Sequence, residues 1–302
     1  MKKVSIIIVT YNSEKDIYDC VRSIQNYADI PLNEIELIIV DNNSKNPDAM
    51  FSELINIWGE DIVLIKNTIN GGYGQGNNVG IRRSTAPIIL IMNPDVRLAS
   101  PFFTKPLKAF TNDEKLIMYG MKQWYSETIP SQSSFSCTYR LNGYLRTFLE
   151  AFCNRFNLFI PSIMHLSGSC FFIKKAPFET IGLFDETVFM YGEEDDIRWR
   201  LEKAFGNHIY FDKDMRYLHL TLERQPNAAT ELKYLEVAML QNEKKGYSRN
   251  KTLSNFIQIY KFLFWRESLR RFLGKPHRQY NMLKELLTKL YEKKKLIKNS
   301  QQ

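Results

Sequence analysis

Apolar and polar positions along the first third of the chain form a repeating unit: a short unbroken apolar run, then a stretch with helical spacing. VSIIIV (4–9) reads as a buried strand by its β-branched run. Ser13 then stands at a helix start, with Asp16 three residues on in capping-box fashion. Ile17, Cys20, Val21 and Ile24 share one face of that helix. IELIIV (35–40) is a second strand, and a helix follows Pro47 with Phe51, Leu54, Ile55 and Trp58 turned inward. DIVLIKN gives a third strand. A glycine-rich turn leads into a helix around 75–83, and PIILIMN (87–93) is a fourth strand. Strands alternating with helices predict parallel pairing through right-handed crossovers. Strands apolar on both sides predict a sheet covered on both faces.

Beyond the fourth strand the rhythm changes. From Tyr125 to Leu166 the pattern weakens into serine-rich and aromatic pieces, read as a long insertion or a helical excursion over a cleft. SGSCFFIKK restores a strand and APFETIGLFDE a short helix and turn. EEDDIRWRLEKAFG is an amphipathic helix with Ile197 and Leu201 inward and Gly206 as its C-terminal stop. HIYFD and MRYLHL are two short strands, and helical sequence rich in Lys and Tyr follows Pro226. This predicts an α/β domain over 1–225, with the insertion at 125–166, and a basic helical region over 226–302.

Composition sharpens that division. The net charge of +8 is uneven: residues 251–302 hold 13 Lys and Arg against 3 Asp and Glu. The first 250 residues hold the other 28 bases and 30 acids, a net of −2. Basicity confined to one end argues against a nucleic-acid binder and for an attached basic module. No apolar run reaches the ~20 residues of a bilayer span. MKKVSIIIVT is followed by YNSEKD, without the small-residue site of a cleaved leader. The four cysteines have no metal-site spacing, and a reducing cytosol is the expected setting.

Parallel sheets bind ligands beyond the carboxyl ends of their strands. Here those ends carry Thr10, Tyr11 and Asn12; Asp41, Asn42 and Asn43; Asn70 to Gly76; and Asn93, Pro94 and Asp95. Four polar rims together predict a nucleotide cleft. NGGYGQGNNVG (70–80) lacks the lysine and hydroxyl that end a P-loop; it serves as a phosphate cradle or as a mobile glycine turn. MNPDV ends a strand on one carboxylate, which suits a divalent cation or a simple turn. His219, near the end of MRYLHL, is a packed residue or an imidazole ligand that would favour Mn²⁺. FMYGEEDDIRWR (189–200) sets four carboxylates in a row, open to three readings: a solvated helix start, a metal site or a general base.

Taken together, VSIIIVTYN, VDNNS, NGGYGQGNNVG, MNPDV and GLFDETVFMYGEEDDIRWR resemble the inverting family-2 glycosyltransferases, in order and at the expected spacing over residues 3–222. The likeness is greatest to the rhamnosyltransferase-like branch of bacterial surface-polysaccharide synthesis. It implies a GT-A (Rossmann-like) fold: a mixed, mainly parallel sheet flanked by helices, here with a C-terminal helical appendage. By this resemblance Thr10, Tyr11, Asn12, Asp41 and Asn43 hold the nucleoside, with Asp41 on the N3–H of a uracil or thymine. Asn70, Gly71, Tyr73, Gly76, Asn77 and Asn78 belong to a loop that closes over the donor, with Asn93 beside it. Asp95 matches the last acid of the family's metal motif, and His219 the imidazole that joins it on a Mn²⁺ or Mg²⁺ ion. Asn-Pro-Asp stands where relatives have two or three acids. Glu194 matches the general base and Glu193 its helper; Asp195 is expected to face water, and Asp196 to favour the helix start or pair with Arg200.

The implied donor is a nucleotide-diphospho-sugar, dTDP-rhamnose or a UDP-hexose. The implied acceptor is a glycan or polyprenyl-linked glycan of a capsule, O-antigen or cell-wall polymer. In the tail, Phe256, Tyr260, Leu263 and Phe264 share a face beside Arg266, Arg270 and Arg271. That suits either an anionic membrane surface, at the inner face of the plasma membrane, or a helical hairpin packed on the rest. Liposome binding by the full chain and not by residues 1–250 is the expectation of the membrane reading. Two rival functions are a sugar-nucleotide nucleotidyltransferase, which would want a basic glycine loop where VTYNSEKD stands, and a non-catalytic glycan- or lipid-binding protein.

Overall fold

The structure is a computed structural model and describes residues 1–131, 133–138, 141–220, 227–277 and 279–299. Its strands are β1 (Val4–Thr10), β2 (Ile35–Asp41), β3 (Val63–Lys66), β4 (Ile88–Met92), β5 (Val96–Leu98), β6 (Met118–Trp124), β7 (Phe135–Cys137), β8 (Met164–Leu166), β9 (Cys170–Lys174) and β10 (Ile209–His219). Its helices are α1 (Glu14–Tyr27), α2 (Pro47–Trp58), α3 (Gly72–Arg83), α4 (Thr104–Asn112), α5 (Gly143–Phe156), α6 (Lys175–Thr180), α7 (Glu193–Phe205), α8 (Ala228–Lys244), α9 (Arg249–Phe272) and α10 (Tyr280–Asn299). The chain forms two compact units, 1–136 with 159–222, and 137–158 with 223–302.

The first unit is built on an eight-stranded sheet in the order β3-β2-β1-β4-β9-β6-β10-β5. The first four strands in that order are parallel, as is the β6–β10 pair. β9 runs antiparallel to both β4 and β6, and β5 antiparallel to β10. Alternate residues of each strand feed opposite cores. Val4, Ile6, Ile8, Leu37, Ile39 and Leu90 pack with α1, α2 and the aromatic residues before α4. Ile7, Ile38, Val40, Ile89 and Ile91 pack with residues of α3, α6 and α7. The expected mixed, mainly parallel sheet covered on both faces is present.

Some local expectations change. The Ser13 hydroxyl turns back to the Tyr11 backbone and caps no first-turn amide of α1. On α2 the buried stripe is Met50, Phe51 and Leu54; Ile55 lies past its edge and is exposed. HIYFD and MRYLHL are one strand, β10, with a register shift between Asp212 and Arg216. The irregularity has a cause. Buried Asp212 takes the Tyr119 hydroxyl and the Lys105 ammonium, and its other oxygen accepts from Asp214 N–H at 3.0 Å. A carboxylate so engaged bends the strand without ending it.

The second unit is helical. Leu235, Met239, Leu253, Phe256, Ile257, Leu283, Leu286 and Leu290 form the centre of its core, from α8, α9 and α10. Asn227 and Ser248 cap α8 and α9 by accepting amides at 2.9 and 3.2 Å. α5, from the segment expected as an insertion, docks on α9. Gly143 N–H donates to Gln258 Oε1 at 2.8 Å, and a Cβ on Gly143 would overlap the Asn255 carbonyl oxygen. Phe256 and Tyr260 are buried, with Leu263 and Phe264 packed against the same core. The face once offered to a membrane is therefore filled by the unit's own helices. The boundary expected at 225/226 lies outside the described residues.

Candidate active site

The parallel arrangement brings the carboxyl ends of β1, β2, β3 and β4 to one edge of the sheet. At the β1–β2 junction Thr10 and Asp41 are paired in register, both almost fully buried, and Thr10 Oγ1 donates to Asp41 Oδ1 at 3.2 Å. Asp41 Oδ2 accepts from Ser44 N–H at 2.9 Å, which fixes the carboxylate at the cleft edge. Asn12 and Asn43 hold left-handed backbones, with φ of 50° and 64°, which asparagine tolerates better than most residues. Asn12 N–H donates to Ser44 Oγ at 2.8 Å, tying the two turns together. Tyr11 is half exposed, a ring free to lie against a base.

The glycine-rich stretch is the first turn of α3, which begins at Gly72 rather than near Gln75. Asn70 Oδ1 accepts from Gly72 N–H at 3.1 Å. Gly72 has φ 91°, and a Cβ there would overlap the Phe189 carbonyl oxygen, which accepts from Tyr73 N–H at 2.9 Å. A Cβ on Gly71 would meet the Gln75 side chain, and one on Gly76 would press on Val9 and on Asn42, whose amide donates to Gly72 O at 2.9 Å. Asn77 donates to Tyr73 O, also at 2.9 Å. Asn78 is buried and spends its amide on the chain: it donates to Phe184 O and Glu186 and accepts from Phe184 N–H. Of the asparagine pair, Asn77 thus stays within its own helix, and Asn78 holds the turn that leads to the four carboxylates.

Asp95 and His219, which stand 124 positions apart in the sequence, are brought together by the antiparallel pairing of β5 with β10. His219 Nε2 lies 3.2 Å from Asp95 Oδ1, and Leu220 N–H donates to Asp95 O. Both side chains are nearly buried. Asn93, two residues before Asp95, donates its amide N–H to Ser169 O at 2.8 Å. Among the described residues no group of three or more His, Cys, Asp and Glu stands together to hold a metal ion. One carboxylate and one imidazole fit a divalent ion that takes its remaining ligands from phosphate and water.

All four carboxylates of the row fall in the first turn of α7, behind Tyr191 and Gly192 at φ 84° and 83°. The helix dipole favours negative charge there. Their surroundings differ. Glu193 is buried, and burial first, then the charge of Glu194, pushes its carboxyl up to about 8. Its Oε1 has no hydrogen-bond partner among the described residues. Glu194 is partly exposed and lies against Gly168, where a Cβ would overlap its Oε1. Asp196 accepts from both the Nε and Nη2 of Arg200, at 2.8 and 2.6 Å, the expected i,i+4 pair. Asp195 corrects its expectation: it is buried. Arg198, three residues on along the same side, donates to the carbonyls of Pro161 and Ser162, so this side of α7 is covered too.

A buried polar cluster beneath the acid pair escaped the sequence reading. Gln123 Oε1 accepts from Ser167, Ser169 and Tyr217 hydroxyls at 3.0, 3.1 and 3.2 Å. The Tyr73 hydroxyl donates to Gly168 O at 2.6 Å, and burial, then the charges of Glu194 and Glu193, push its pKa well above the usual tyrosine value. The only sequence signal was the trio of small residues in SGS, which leaves space for a neighbour.

A parallel half, a mixed half carrying the Asp-His pair, and a helix opening on paired carboxylates make up a fold of GT-A type. The profile of glycosyl transferase family 2 matches residues 5–182, and the chain belongs to that family. It is similar to the low-salt glycan biosynthesis hexosyltransferase Agl10 of Haloferax volcanii, 29% identical over 206 residues, 66% of this chain and 61% of that protein. A poly(ribitol-phosphate) beta-glucosyltransferase of Bacillus spizizenii is 32% identical over 32% of this chain and 16% of its own length. The chain thus spans about three fifths or less of these relatives. Among solved structures, TarS 1–349 of S. aureus superposes with a TM-score of 0.54 at 18% identity, covering 90% of this chain and 74% of that one. The mannosyltransferase PcManGT from Pyrobaculum calidifontis, solved with GDP-Man and Mn²⁺, gives 0.53 at 16% identity over 94% and 69%.

Proposed function

We propose that the chain transfers a sugar, with inversion, from a nucleotide-diphosphate donor, dTDP-rhamnose or a UDP-hexose, to a glycan or lipid-linked glycan acceptor of a surface or cell-wall polymer. The observation that carries this reading is the traceable closeness of two centres. Glu194 rests on Gly168, Gly168 adjoins Ser169, and Ser169 O holds the Asn93 amide two residues from Asp95. A cation site and a base on one shelf suit a reaction in which a diphosphate leaves as a hydroxyl attacks.

In the mechanism, Thr10, Tyr11, Asn12, Asp41 and Asn43 bind the nucleoside, with the Asp41 carboxylate oriented by Thr10 and Ser44. Asp95 and His219 would hold a divalent ion, which supplies charge neutralisation to the departing diphosphate. Glu193 keeps its proton at neutral pH, which limits the charge on the pair and leaves Glu194 to take the acceptor hydroxyl proton. Asn78 holds the 184–186 turn, and the buried Gln123–Ser169–Tyr217 cluster supports the shelf under the base. The basic C-terminal region supports a place at an anionic membrane surface, where lipid-linked acceptors sit.

The test is transfer or donor hydrolysis across UDP- and dTDP-sugars for wild type, Asp95→Ala and Glu194→Gln, beside a thermal-shift screen of UDP, dTDP and GDP with and without Mn²⁺. Glu194→Gln should abolish transfer and keep the nucleotide shift; Asp95→Ala should lose the part of the shift that Mn²⁺ adds. Three equally inert proteins would end the enzymatic reading.

A further inference from the structure

The last turns of α9 and its C-cap carry Trp265, Leu269, Phe272 and Leu273, at i, i+4, i+7 and i+8, the spacing of a buried helical stripe. Here the stripe faces out: the four are 60, 43, 86 and 55% exposed. The same helix buries Phe256 and Tyr260 in the core of its own unit, so its apolar surface is covered at one end and open at the other. Arg266, Arg270, Arg271 and Lys275 flank the open end and are all exposed. Arg266, Arg270 and Lys275 also line a cleft of about 370 Å³ beside it. The acid of this region, Glu267, is buried and paired with Arg266 and Arg270. No helix among the described residues is long and apolar enough to cross a membrane.

We infer that this face lies on an anionic lipid bilayer, with Trp265, Leu269, Phe272 and Leu273 in the headgroup–acyl boundary and the four bases on lipid phosphates. The inference rests on the membrane reading of the basic region and replaces the face first read from its sequence. Charge complementarity selects the occupant. A second copy would set the same four bases against one another, and a nucleic acid would take the bases while leaving Leu269 and Leu273 in water. An anionic bilayer satisfies both halves of the pattern.

The experiment is co-sedimentation of the full chain with vesicles of equal parts phosphatidylglycerol and phosphatidylcholine, and with phosphatidylcholine alone. Wild type should bind the anionic vesicles and be released by salt. The Trp265→Ser/Phe272→Ser variant should partition about tenfold or more weakly, with melting nearly unchanged, because Phe272 is almost wholly in water and Trp265 touches only Phe262 among the aromatic rings described. Equal binding by this variant overturns the assignment of the face while leaving the membrane reading intact. Loss instead in Phe148→Ser/Phe152→Ser, on the exposed stripe of α5, overturns it by moving the surface elsewhere. Wild type that ignores both vesicles overturns both, and a dimer that the Trp265/Phe272 variant converts to monomer makes the face a self-interface. Sugar transfer by the same proteins reports separately on the catalytic reading.

Discussion

Gly168→Ala isolates the placement of the proposed base. The backbone at Gly168 lies outside the left-handed region, so alanine adopts it without strain and only the methyl is new. That methyl would overlap Glu194 Oε1 and stand 2.8 Å from its Cδ and 2.9 Å from its Cγ. Carbon contacts prefer roughly 3.5–4.0 Å, so the carboxylate must retreat by about 1 Å. The atoms in the way are the far end of a flexible side chain, so folding suffers little, about 1 kcal/mol. Chemistry suffers more: a displacement of that size costs about 10²-fold in rate. The assay is kcat for transfer, run beside UDP affinity and thermal melting. The expected result is a fall in kcat with affinity and melting nearly kept. Full activity in Gly168→Ala, alongside a dead Glu194→Gln, would refute the reasoning that this contact sets the base.

Glu193 gives a pH signature. Its folded pKa lies above the ordinary 4.5, so its contribution is fully present below that value and is lost as pH rises through about 8. Glu193→Gln should therefore melt like wild type near pH 4.5 and be more stable above pH 8, by about 2–5 kcal/mol; parallel melting curves at both pH values would contradict it. Gly72→Ala should lower stability by about 2–4 kcal/mol in denaturant titration, because it combines a left-handed backbone with a clash against the fixed Phe189 carbonyl; an unshifted midpoint would show that the turn relaxes freely.

What was legible in the sequence follows the reach of each interaction. β1, β2 and β4 announce themselves by their dense runs of Ile, Leu and Val, and parallel pairing follows from the helices between them. The direction of β9 does not, since FFIK is equally apolar in either orientation. The bend in β10 depends on Tyr119 and Lys105, roughly a hundred positions before Asp212. Asp95 and His219 were each legible as a possible ligand, but the β5–β10 pairing that sets them side by side leaves no local signal. Asp195 was misread because its local pattern is that of an exposed helix start, whereas this side of α7 is covered in the fold, with Arg198 held by the 161–162 carbonyls. Gly168 was invisible as a site residue: an absent side chain gives no chemistry to read, only room.

The docking of α5 on α9 has a consequence for synthesis. Gly143 and its partner Gln258 are 115 residues apart in the chain. A ribosome adding about 5–20 residues each second completes α5 roughly 6–20 s before the residues that receive it exist. During that interval the Gly143 end of α5 has no α9 to dock on. The second unit therefore cannot assemble in the order of the chain, and its first helix waits, exposed, for the last quarter of the protein.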